Sequence, residues 1–264
     1  MSDYVLTLMR GAYFGTLFGG FIFFLMWEAG SPRRMFANAA ARRQHVLRNF
    51  GLFVLVVLIA DIAVGMVLLG ASRWIARSPG TLLAGLDEWW PLQMLAGIVA
   101  IDFLYYWWHR ASHAVPVLWR IHRVHHSDPH LDVTSGTRFH PIEASISVGL
   151  VVVVLNALGI PLWVELARTL VVNPLVMAQH ANVVFPARWD ARLRRLIVTP
   201  EFHRVHHSPS RAEHDANYGQ IFSCWDRWFG TLRETPSAVG DVGVAGMESA
   251  RWQTVSGMMA TPFR

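Results

Sequence analysis

Five long apolar segments, separated by stretches rich in arginine, constrain this chain more than any other feature. They cover approximately residues 11–27, 50–70, 91–108, 144–159 and 161–178, and each is long enough to cross or deeply enter a bilayer as a helix. The last two are separated only by Gly159-Ile160-Pro161, which predicts a tight helical hairpin. The composition agrees: 53% of the residues are hydrophobic and 16% are charged, against roughly a quarter charged in soluble proteins. One soluble core could not hide that much apolar surface. The expected fold is therefore all-α, a multi-pass membrane bundle of about four to five helices with a helical cap on one side.

The arginines give the bundle an orientation. The chain contains no lysine. Five arginines lie in residues 28–49, four in 109–143 and ten after Ala178, against three in residues 1–10 and 71–90 together. The positive-inside bias places the N-terminus outside and the long polar segments in the cytoplasm, as in a bacterial inner membrane. The net charge of +5 then reads as a membrane-facing surface, and no nucleic-acid partner is expected. The N-terminus lacks a basic stretch, and Trp27 and Glu28 stand where a cleavable signal needs small residues, so no cleaved signal is expected. The single Cys224 excludes a disulfide framework and a cysteine-based metal site. Three parts are anticipated: N-terminal membrane helices over 1–90, a catalytic region over 91–235 and a C-terminal tail over 236–264.

On this map all 13 histidines fall on the cytoplasmic side. His109 and His113 are four apart at the end of the third apolar segment. His122, His125 and His126 follow as HRVHH, and the same string returns at His203, His206 and His207. At about 100° per residue, positions i, i+3 and i+4 share one face of a helix. Burying eight imidazoles together is costly unless metals or hydrogen bonds satisfy their nitrogens. Eight exceed the capacity of one ion, which implies two metals. Imidazole suits Fe, Zn, Cu and Ni alike. A zinc protease needs HExxH, but Arg follows His109, His122 and His203. A membrane haem needs histidine pairs inside the spans, and a metal transporter or sensor needs ligands along a midplane path. Redox iron fits best, with no bound haem or flavin.

The strings HRASH, HRVHHS and the second HRVHHS resemble the three histidine boxes of the fatty acid hydroxylase/sterol desaturase superfamily of membrane di-iron enzymes. Arg138-Phe139-His140-Pro141-Ile142-Glu143, Gln179-His180-Ala181-Asn182, Asn217-Tyr218-Gly219 and Trp225-Asp226-Arg227-Trp228-Phe229-Gly230-Thr231 support the resemblance, which covers about Asp102 to Thr231. It implies two Fe2+ ions, with O2 as co-substrate and a membrane lipid (fatty acyl, sterol or related) as the molecule oxidised at an unactivated C–H bond. Hydroxylation is the expected outcome, desaturation the alternative. No cytochrome b5-like segment is attached, so the resemblance implies a separate donor of the ferredoxin, cytochrome b5 or reductase type.

The resemblance also implies the ligand set. His109, His113, His122, His125, His126, His203, His206 and His207 would bind metal, and His180 matches the place of a further ligand between the second and third boxes. His140 is a possible additional ligand. Asp102, seven residues before His109 in apolar sequence, is expected either to support a ligand histidine or to pair structurally. Glu165 and Arg168 are expected to pair or snorkel, and His45 and His214 to be surface or satisfied core residues.

Overall fold

The computed structural model describes residues 3–77, 83–234 and 242–264; the side chains of 3–6, 9, 10, 60, 61, 63–77, 84 and 87 lie outside that description. All regular elements among the described residues are helical, and strand pairing is confined to the isolated bridges Pro32–Val183 and Ile197–Phe222. Three long helices, α1 (Asp3–Gly30), α2 (Ala39–Arg77) and α3 (Trp90–Ala114), and the shorter α4 (Pro116–His126) precede a 3-10 turn at Val133–Thr137. Then come α5 (Pro141–Leu158), α6 (Leu162–His180), α7 (Ala187–Leu193), α8 (Pro200–His206), α9 (Arg211–His214), α10 (Cys224–Trp228) and α11 (Val255–Ala260).

Proline at the first helical turn starts α4, α5 and α8, where its missing N–H would have no partner anyway. Thr199 caps α8 by accepting from Phe202 N at 3.3 Å. These starts matter because α4 and α8 carry the two HRVHH strings.

Two helices among the described residues are long and apolar enough to cross a membrane, Gly11–Gly30 within α1 and Pro141–Leu158. Only 11% and 17% of their apolar windows are buried, whereas the core helix of a soluble protein would be mostly covered. Phe14, Phe18 and Ile22 on α1 and Val153 on α5 are exposed. The count expected from the sequence is thus only partly met. Asp102 and Gln93 interrupt α3, while Glu165, Arg168 and Asn173 interrupt α6, so neither passes on apolarity. The expected span 50–70 is helical within α2, although many of its side chains lie outside the description; the outer segment 71–90 and the start of the tail expected over 236–264 lie in part outside the described residues.

The turn between α5 and α6 is as short as expected. Gly159 takes φ +66°, with Ile160 N donating to Leu155 O at 2.7 Å, a left-handed cap that glycine adopts without strain. The helices it joins nevertheless make little contact with each other, which corrects the expected hairpin. α6 packs chiefly on α1, and α5 chiefly on α2. α3 contacts both, through a core that includes Ile101, Val151 and Val164. On the α1 side, Met177 of α6 packs with Phe24, and its sulfur fills the space beside Gly20.

Residues 242–264 fold back onto α2 and α4. Met258 is buried with Leu52, Val56 and Val124, and Gln253 Nε2 donates to Ser127 O at 2.9 Å.

Candidate metal centre

Four helices end at one place. His109 and His113 occupy the last two turns of α3, His122, His125 and His126 the end of α4, His180 the last position of α6, and His203 and His206 the end of α8, with His207 as its cap. Helix C-termini carry partial negative charge, so this convergence favours cations.

The nine imidazoles form two groups. His109, His113, His122, His126 and His206 make one; His125, His180, His203 and His207 make the other; within each, one nitrogen per ring lies within 4.8 Å of all the others. Each HRVHH string serves both groups. His122 and His126 (i, i+4) join the first and His125 the second, whereas His203 and His207 join the second and His206 the first. Helical geometry explains the split, because i and i+4 are about 40° apart while i+3 projects to the other side of i.

Burial disfavours protonation here, and His113 is held well below the ordinary value by burial and by its histidine neighbours. His109 is pushed down to about 3 by desolvation and then by the neighbouring His122. His180 falls to about 4, desolvation outweighing the hydrogen bond to Val176 that opposes it. His125, His126, His203, His206 and His207 are held well below the ordinary value by burial and by one another.

The outward nitrogens of five rings are held by hydrogen bonds. His109 Nδ1 donates to Tyr218 O at 2.9 Å, His206 Nδ1 to Ala216 O at 2.7 Å and His180 Nδ1 to Val176 O at 2.8 Å. Glu143 Oε1 accepts from His122 Nδ1 at 2.6 Å, and Asp215 Oδ1 lies 3.3 Å from His113 Nδ1. A neutral ring that gives its Nδ1 proton away presents a bare lone pair at Nε2. Nε2 of His109, His113 and His206 are buried without a hydrogen-bond partner among the described residues. In the second group, Nε2 of His180 is 3.2 Å from that of His125 and 3.0 Å from that of His203, which is 3.1 Å from that of His207. Ligands at right angles around an ion, each about 2.1 Å from it, are separated by about 3.0 Å. The donor set therefore fits two metal ions.

His140 stays outside both groups. It caps α5, Nδ1 accepting from Ile142 N at 3.3 Å. Asp102 hydrogen-bonds no histidine; its oxygens accept from Ile221 N at 2.9 Å, Phe222 N at 3.1 Å and Trp225 Nε1 at 2.8 Å. That carboxylate ties α3 to the loop whose Tyr218 carbonyl holds His109. Glu165 and Arg168 do pair, at 2.7 and 2.8 Å. His45 is paired with Asp128 and Asp132, and His214 is buried against Trp119 beside His113.

Sequence reasoning passed over Glu143, although an acid in the first turn of an otherwise apolar helix was a visible signal. Asp215 had no such mark. Neither had the carbonyls, since every residue carries one. Between Ala216 and Tyr218 sits Asn217 at φ +57°, with Nδ2 donating to Phe202 O at 3.0 Å and Oδ1 accepting from Arg233 N at 2.8 Å. This locally tied, left-handed residue separates the two carbonyls that hold His206 and His109.

A cavity of about 290 Å³, bounded by α3, α4, α5, α6 and α8, reaches both groups, with His109 and His122 from the first and His125, His180 and His203 from the second in its wall. Trp108, Phe139, Val148 and Val176 supply apolar walls.

Residues 94–231, just over half of the chain, match the family described as fatty acid hydroxylase. The chain belongs to the fatty acid hydroxylase family. This family member is 36% identical over 163 residues to the ornithine lipid hydroxylase OlsE of Rhizobium tropici, covering 60% of this chain and 47% of that protein. It is 30% identical over 145 residues to the alkylglycerol monooxygenase of Homo sapiens, covering 54% and 31% respectively. Against the fatty acid hydroxylase vlmA of Lecanicillium sp it is 29% identical over 174 residues. The chain spans about half or less of the length of these relatives. No solved structure matches. All nine histidines of the two groups lie within the matched residues of this hydroxylase family member.

Proposed function

We propose that this chain is an O2-dependent membrane hydroxylase that holds two iron ions and converts an unactivated C–H bond of a lipid to an alcohol. The observation that carries the reading is the meeting of two imidazole groups at one cavity with apolar walls. The names of its relatives, a lipid hydroxylase and a monooxygenase, favour hydroxylation over desaturation. The balanced reaction is R–H + O2 + 2 e⁻ + 2 H⁺ → R–OH + H2O, with the electrons coming from a separate protein of the ferredoxin, cytochrome b5 or reductase type.

His109, His113, His122, His126 and His206 would hold one ion, and His125, His180, His203 and His207 the other. Bound iron supplies the activation of O2 and the redox capacity for the two-electron step. The protein's own part is positional. Tyr218 O, Ala216 O, Val176 O, Glu143 and Asp215 fix ring orientation. The apolar walls admit a chain and exclude bulk water. Placement of the C–H bond relative to the site selects the outcome, because small displacements decide which atom reacts. The spans and the arginine distribution support a multi-pass protein with this site on the cytoplasmic face of an inner membrane.

Turnover in membranes under 18O2 tests the reading. A lipid alcohol heavier by one labelled oxygen is the expected product. An unlabelled product two hydrogens lighter would instead make the enzyme a desaturase, and lipid profiles unchanged by the protein would remove the reading.

A further inference from the structure

Four polar residues interrupt the apolar cavity wall close to the histidines: Glu143, Ser147, Gln179 and Gln220. Two of them are committed elsewhere. Gln179 Nε2 donates to Gln220 O at 2.8 Å, and Gln220 Oε1 accepts from Arg168 at 3.1 Å. Glu143 is different. Its residue exposure is 4%, one oxygen accepts from His122 Nδ1, and the other, Oε2, is buried with no hydrogen-bond partner among the described residues. A buried carboxylate oxygen without a donor is strongly unfavourable, and carboxylates have capacity for several donors at once. Ser147 stands one helical turn beyond Glu143 on the same face of α5, so the polar strip continues along the wall.

We propose that Glu143 is a substrate-positioning residue whose free oxygen accepts a hydrogen bond from a hydroxyl or amide N–H of the lipid. The inference rests on the cavity being the lipid site of the proposed function, and it narrows the substrate class. Glu143 already touches a histidine of the first group, so a donor bound to it lies within a few bonds of the carbon presented to the site. The substrate is then an amphiphile oxidised near its polar end, and not in the middle or at the far end of a long chain. Such a contact also gives register: without it, an alkyl chain can slide along apolar walls with little change in energy, and the reacting carbon is not chosen.

The test compares two probes of equal chain length, hexadecan-1-ol and 1-methoxyhexadecane, in equilibrium binding to the detergent-solubilised, metal-loaded protein. The ether keeps the chain and the oxygen but loses the donor. The wild type is expected to bind the alcohol about tenfold more tightly or better, as a hydrogen bond to a charged acceptor gives. In E143Q the amide oxygen is claimed by His122 Nδ1, which turns the N–H donor to the vacant side, and the preference is expected to fall below about twofold. Metal per chain is measured alongside, so that loss of the centre is seen directly. If E143Q loses its metal, E143D, which keeps the charge but is one methylene shorter, is expected to lose the preference in the same way. Equal binding of the two probes by the wild type overturns the proposal and leaves the hydroxylase reading intact, as does a wild-type preference retained in the variants. Binding of neither probe overturns both. Should neither variant hold metal, the wild-type ratio alone decides.

Discussion

The main-chain carbonyl of Tyr218 accepts a hydrogen bond from His109 Nδ1 at 2.9 Å, joining the end of α3 to a loop 109 positions further along the chain. The loop is in turn fastened to α3 by Asp102 and to α10 by Asp226, whose oxygens accept from Tyr218 N at 2.7 Å and Gly219 N at 2.8 Å. The orientation of one histidine thus depends on two buried carboxylates that touch no histidine. Several expectations follow from such dependence.

Gly219 lies where a side chain has no room. A Cβ there would stand 2.7 Å from Phe222 O and 3.0 Å from Asp226 Oδ2. Since Phe222 is itself anchored to Asp102, Gly219→Ala must displace the loop and pull the Tyr218 carbonyl from His109. The expected outcome is about a 10- to 100-fold weaker hold on the metal of the first group, the range for lost outer partners of metal-binding histidines. Competition with a chelator, followed by metal analysis, reads it. Unchanged retention would show that the carbonyl is dispensable.

Asp102→Ala removes an acceptor from three donors that then remain in a buried setting. A loss of about 2–4 kcal/mol in stability is expected, because hydrogen bonds to a charged group contribute roughly 1.5–3 kcal/mol each and do not add fully. All nine imidazoles are retained, so metal content at saturating metal should stay near the wild-type value even though His109 is less firmly oriented. Denaturant unfolding together with metal analysis separates the two effects. A stable protein that has lost metal would contradict this account of Asp102.

His180 is the only member of the second group that does not come from an HRVHH string. With His180→Ala, three imidazoles remain there while the first group keeps its five. Metal per chain is expected to fall from near two towards one, and lipid turnover to cease. Two metals retained with normal turnover would exclude His180 as a ligand.

His45 provides a pH dependence separate from the metal site. Burial disfavours its charged form, but Asp128 and Asp132, at 3.5 and 3.3 Å, outweigh burial and the opposing Arg138, raising its pKa above the ordinary 6.5. A raised value in the folded state means stability that is fully present below pH 6.5 and disappears as pH rises through the folded value. The stability difference between wild type and His45→Gln should therefore be largest in mild acid and shrink on the alkaline side. A difference that grows with pH would reverse the assignment.

The sequence by itself determined which residues could form the centre. Metal binding demands one side-chain type, helices demand its recurrence at i, i+3 and i+4, and two copies of HRVHH after HRASH satisfy both demands locally. The apolar segments were legible for the same reason, since length and hydropathy are properties of a contiguous stretch. Tertiary structure decided what depends on distant neighbours. Only packing shows which rings from other helices join His122 and His126, namely His109, His113 and His206, and which join His125, namely His180, His203 and His207. Only packing turns Asp102 to a loop 119–123 positions away and brings Glu143 to His122. The packing of α5 on α2 and of α6 on α1 likewise depends on neighbours far along the chain. Most outer partners of the histidines are carbonyl oxygens, which every residue possesses, so no residue letter could have announced them.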